Sequence, residues 1–157
     1  MKPVKSVPAR PRMDMPVKLA SARKFLADKG ESIDIGYSKD ECSEHIAKDL
    51  ANAYSSNDSG YEMALRLNSD GWAVDRDLMN ELDEFDWFAQ DELKTAILKW
   101  IADNDVKPKL KPGDSTKYGT VDSICGYMPA CYLIKETGCT VSGRHLIVRF
   151  EDAEMGL

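Results

Sequence analysis

Apolar residues recur at helical spacing through the first two thirds of the chain and at strand spacing in the last third. Asp14 can cap a helix that has Pro16 in its first turn, Val17, Leu19, Ala22, Phe25 and Leu26 on its apolar side, and Gly30 at its end. "SIDIGYS" (32–38) reads as a short extended piece. "SKDE" then supplies a capping box, Ser38 with Glu41, ahead of a helix carrying Cys42, Ile46, Leu50 and Tyr54. "SSNDSG" breaks that helix. Asp58 is the expected cap of the next, with Tyr61, Ala64, Leu65 and Leu67 as its apolar side and Gly71 as its stop. Asp75 is an N-cap candidate, with Val74 and Met79 placed as a hydrophobic staple. Leu78, Leu82 and Phe85 follow at i, i+4, i+7, which is a core stripe. Asp86 is expected to cap a last helix that turns Phe88, Leu93, Ala96, Ile97, Trp100 and Ile101 inward. Phe85, Trp87 and Phe88 are read as core.

"NDVKPKLKPGD" (104–114) is a break, with two prolines and three lysines. Behind it the period changes. "YGTVDSI", "CYLIKET" and "HLIVRFE" are β-rich runs of strand length separated by Gly, Pro and Ser. The pattern thus predicts an α+β chain of four to five helices followed by a small antiparallel β-meander or barrel. The expected divisions are a flexible basic arm (1–13), a helical domain (14–104), a linker (105–114) and a small β-module (115–157). Prolines and charges fill the arm, so its removal should cost little stability.

Length and composition narrow the picture. A chain of 157 residues, 43% hydrophobic and 31% charged, is globular and holds one domain or two small ones. The formal charge of −6 disfavours direct nucleic-acid binding, which rests on Lys and Arg. "MKPVKSVPARPRMDM" has no apolar signal-peptide core, and no run reaches membrane-spanning length, so the expectation is a cytoplasmic protein with reduced thiols. Charge is unevenly placed. Residues 1–29 hold eight bases and two acids, whereas residues 70–92 hold nine acids and one base, Arg76.

The last third carries a resemblance. Gly113-Asp114, Gly119-Thr120-Val121, Tyr132-Leu133-Ile134 and Phe150-Glu151-Asp152 resemble the opening turn, first strand, middle strand and closing strand of small SH3-like barrels of the KOW and Tudor type. The resemblance implies an interaction module rather than a catalyst. The whole chain, compact, acidic and without a catalytic motif, resembles in composition the anti-restriction and anti-CRISPR accessory proteins of phages and mobile elements.

Chemistry is otherwise sparse. Cys125, Cys131, Cys139 and His145 are spaced C-x5-C-x7-C-x5-H, whereas zinc ligands pair two to four residues apart. They are read as thiols without metal. "KPGDSTK" lacks the phosphate-loop frame, and there is no dinucleotide glycine fingerprint. No catalytic residue, metal or cofactor is therefore assigned. Asp77, Glu81 and Glu84 at i, i+4, i+7 would form one helical stripe, thickened by Asp83, Asp91 and Glu92. Two readings stand: a solvated face, or a surface that binds and inhibits a basic, nucleic-acid-handling protein. A solvated face is the commoner outcome for such a stretch; among functions, the second is the leading expectation. The alternative is a nucleic-acid or ribosome-associated module acting through the β-module and Lys107, Lys109, Lys111 and Lys117.

Overall fold

The computed structural model describes residues 6–30, 43–138 and 144–154. The Ser38–Glu41 capping box and the extended piece before it lie outside these residues. The fold is α+β: among the described residues, five helices are followed by a small four-stranded antiparallel sheet and one further short helix. Packing divides the chain into two compact units, residues 11–96 and residues 1–10 with 97–157. The break thus falls near Ile97, within the last long helix, rather than at 104.

The helical unit holds α1 (Met15–Lys29), α2 (Ser43–Ala53), α3 (Gly60–Ser69), α4 (Arg76–Leu82) and the first part of α5 (Phe85–Asn104). Two expected caps form: Asp14 accepts from the Val17 amide and Asp75 from the Leu78 amide. Each satisfies a donor that the first helical turn leaves open. Leu78, Leu82 and Phe85 are buried together with Phe25, Leu50, Tyr54, Met63 and Leu67. Val74 and Met79 pack on the edge of this core, as the staple requires.

Three local expectations are corrected. Ser59, not Asp58, caps α3, through a capping box with Glu62. Asp58 instead accepts from the Ser55 amide and Arg66. Tyr61 and Leu65 are exposed, because α3 turns Gly60, Met63, Ala64 and Leu67 inward. Asp86 lies inside the first turn of α5 rather than ahead of it.

Gly60 shows why α3 and α4 meet so closely. A Cβ there would lie 2.1 Å from the Met79 carbonyl oxygen and 2.6 Å from the Asp83 nitrogen. Only glycine lets the two backbones approach that far.

The second unit is a meander in the order β1-β2-β3-β4, with β1 Ser115–Thr116, β2 Gly119–Ile124, β3 Cys131–Glu136 and β4 Leu146–Arg149. Val121, Tyr132, Ile134 and Val148 are buried on one face with Phe150 and Ala153. The β2–β3 register shifts between Val121 and Ser123, a bulge at Asp122. Gly119 has φ 143°, and a Cβ would lie 2.1 Å from the Lys135 carbonyl oxygen across the ladder. The run read as one strand through Glu151 stops at Arg149, and α6 (Phe150–Glu154) follows.

The stretch 105–114 is not a loose linker. Val106 and Leu110 pack on the sheet core, and the Lys109 and Leu110 amides both donate to the Tyr132 hydroxyl at 3.0 Å. The free-arm reading of 1–13 also fails at Arg10, which is 8% exposed and bonded to residues of the sheet unit.

Candidate functional site: an acidic turn with an exposed tryptophan

The acidic stretch has local duties that composition could not show. Lys29 on α1 bridges Glu81 at 3.2 Å and Glu84 at 2.9 Å. These two carboxylates, Glu84 first, push the Lys29 ammonium above its ordinary value. Lys24 pairs with Glu92 in the same way. Asp83 accepts from the Gly60 amide at 2.7 Å, so it caps α3 from the turn after α4. Asp86 accepts from the Asn57 amide at 2.9 Å and from the buried Tyr54 hydroxyl.

The expected stripe is therefore broken. α4 ends at Leu82, and Glu84 sits in the turn before α5 rather than on the helix of Asp77 and Glu81. Of the six acids expected to bind a partner, Glu81, Asp83, Glu84 and Glu92 hold the helical unit together. Asp77 and Asp91 are exposed; the Asp91 carbonyl accepts from the Thr95 hydroxyl at 3.0 Å, and the Asp91 charge adds to that of Glu92 in raising Lys24.

Trp87 was expected in the core. It is 66% exposed, its ring touching Phe88 edge-on at 5.2 Å between centroids. Phe85 and Ala89 take the buried face of this turn, and Phe85 packs on Phe25 and Tyr54. That rotation carries Trp87 outward. Asp91 follows it one helical turn later on α5, whereas Asp83 and Glu84 lie in the turn before this helix.

Tyr54 is the titratable group this arrangement perturbs most. Burial, then the hydrogen bond and charge of Asp86, push its hydroxyl well above the ordinary tyrosine value. The folded chain therefore holds this proton to higher pH than the unfolded chain does. The stabilisation is fully present below about pH 10, where the unfolded tyrosine ionises, and is lost as pH rises from there. Tyr54→Phe should cost about 1–2 kcal/mol near neutrality, because Asp86 loses a charge-assisted donor. Urea unfolding at pH 8 and pH 11 should show a smaller loss over that interval for Tyr54→Phe than for the parent chain.

The lysines of the alternative reading are partly committed. Lys107 pairs with Asp105 at 2.9 Å, Lys109 lies 4.0 Å from Glu154, and Lys117 stands over the Tyr118 ring. Lys111 uses its backbone amide to bond Asp114, closing the turn before β1.

Cys125 and Cys131 are buried free thiols facing each other across the end of the β2–β3 pair, where the Cys125 amide donates to the Cys131 carbonyl at 2.8 Å. Burial pushes the Cys131 thiol up, against the lowering effect of Arg10. Cys139 lies outside the described residues. No group of three or more His, Cys, Asp or Glu converges as a metal site among the described residues. Nor is any described helix long and apolar enough to cross a membrane. No family model, curated protein or solved structure matches the chain.

Proposed function

We propose that the protein is a non-enzymatic interaction protein whose helical unit offers an acidic surface, centred on Trp87, to a basic nucleic-acid-handling protein that it binds and inhibits. The observation that supports this reading is an indole 66% exposed on α5, in a stretch rich in acids, with Asp91 one helical turn after it. A large exposed aromatic ring adds apolar area at modest entropic cost, and tryptophan and arginine dominate interface hot spots. Its face attracts a guanidinium or ammonium, and neighbouring carboxylates strengthen that attraction. Asp77 and Asp91 supply exposed charge for steering. Glu81 and Glu84, shared with Lys29, contribute less than their number suggests. Masking the basic groove of such a protein is the mode of action expected of anti-restriction and anti-CRISPR inhibitors. The nucleic-acid reading through Lys107, Lys109, Lys111 and Lys117 gains no support, since two of the four are held by carboxylates.

Paired affinity capture from the cell of origin tests the proposal. Wild-type bait should retain a basic protein that Trp87→Ala bait loses, with affinity lower by about 30-fold or more, the range of a hot-spot residue. Asp91→Lys should weaken capture mainly at low salt, because exposed charges are screened within about 10 Å at 0.1 M. Equal recovery by the two baits, or recovery of nucleic acid alone, would reject this surface.

A further inference from the structure

Arg10 sits in a complete socket of the sheet unit. Its Nε donates to Glu151 at 2.7 Å, and one terminal nitrogen donates to Glu151 at 3.2 Å and the Ala130 carbonyl at 2.5 Å. The other donates to the Pro129 carbonyl at 3.2 Å and the Cys131 sulfur at 3.9 Å. The five N–H groups of a guanidinium thus meet five acceptors. The Trp100 ring lies 5.4 Å from the guanidinium carbon, and the Trp100 indole N–H donates to the Pro8 carbonyl at 2.9 Å. Ala130 holds φ 54°, unusual for a residue with a Cβ. Its carbonyl also accepts from the Phe150 amide, so the loop that makes the socket is fixed by the sheet as well as by Arg10.

The occupant is held chiefly through Arg10. Residues 6–12 form neither helix nor strand, and residues 6–9 are exposed while Arg10 alone is buried. A cleft of about 370 Å³ remains beside them, with Val7, Trp100, Val106 and Phe150 among its walls. The socket therefore holds an extended segment through an arginine guanidinium and the backbone carbonyl two residues before it, and leaves apolar space next to it unfilled.

We propose that this socket is a recognition site for an extended, arginine-bearing segment of another protein, which residues 7–10 occupy in cis. A lysine cannot replace the arginine, since a single ammonium has three donors and no planar fork. A partner segment with a larger apolar residue beside its arginine would also fill the cleft. The cis segment competes at an effective concentration of the order of millimolar, so a free peptide must displace it or find it removed. The site uses none of the residues around Trp87 and stands independently of that surface.

The test uses the full chain carrying Arg10→Ser and a fluorescein-labelled peptide of residues 6–12, SVPARPR. Anisotropy should show binding at least tenfold tighter to the variant than to wild type, and loss of binding when the peptide's own Arg10 is Lys. Because Arg10→Ser lowers stability, melting is followed too. Saturating peptide should raise the variant's midpoint by several degrees, since a ligand that binds only the folded form stabilises it. No binding up to millimolar peptide with no rise in the midpoint, or equal binding by the lysine peptide, overturns the proposal. A wild-type dimer that exchanges residues 6–12 between copies, seen by light scattering and lost on Arg10→Ser, would overturn the assignment to another protein.

Discussion

A chain carrying Leu82→Asp is expected to lose the fold of residues 11–96 at 25 °C. Leu82 is fully buried among Leu78, Phe85, Met63 and Leu67. Truncating a buried leucine costs about 2–5 kcal/mol before any charge is considered. An aspartate adds an unpaired carboxylate in an apolar core, which costs several kcal/mol more or forces protonation. Native domains hold about 5–15 kcal/mol in all, so the combined loss approaches the whole. Glu81→Lys, one residue earlier, should melt within a few degrees of the parent, because Glu81 is half-buried at the rim and its pair with Lys29 is partly solvated. Far-UV circular dichroism of the two variants side by side checks the contrast. A folded Leu82→Asp chain would mean that α4 does not pack as described.

Replacing Arg10 by alanine should lower the melting temperature by roughly 5–10 °C, about 2–3 kcal/mol for a chain of this size. The Pro129 carbonyl loses its donor, Ala130 loses one of two, and Glu151 loses both of its bonds to Arg10. Hydrogen bonds to charged groups are worth about 1.5–3 kcal/mol each when buried. The Glu151 side chain is 42% exposed, so water replaces much of its share, and the sum is discounted accordingly. Arg10→Lys should recover little of the loss. Differential scanning calorimetry of the three chains decides it. A midpoint unchanged in Arg10→Ala would return residues 6–13 to the status of a free arm.

That contrast shows what the sequence could carry. Leu78, Leu82 and Phe85 were legible because their spacing alone places them on one face. Asp14 and Asp75 were legible because a cap bonds an amide three residues away. The three β-rich runs declared themselves by composition, and all three form strands. Arg10 was not legible. Its partners lie 119 to 141 residues away, and its prolines and charges read as solvated chain. Asp86 failed for the same reason, because Tyr54 and Asn57 compete for the carboxylate that a local rule assigned to its own helix. Trp87 lies between Phe85 and Phe88, and periodicity could not say which of three neighbouring aromatics the helix would turn outward. Packing of Phe85 against Phe25 and Tyr54 decided it. The acids of the candidate surface were found by count, but their partition into bridging residues and exposed charges depends on Lys24 and Lys29, some fifty to seventy residues earlier.

The claim that the Trp87 surface meets a basic protein is tested most directly by site-specific photo-crosslinking in the cell of origin. The photoreactive benzoylphenylalanine placed at position 87 keeps an aromatic ring on the surface. A control chain carries it at Ile147, an exposed position on β4. The expected result is a single covalent adduct at position 87 with a basic, nucleic-acid-handling protein, absent from the Ile147 chain. An adduct at position 147 with none at 87, or crosslinks to nucleic acid in place of protein, would contradict it.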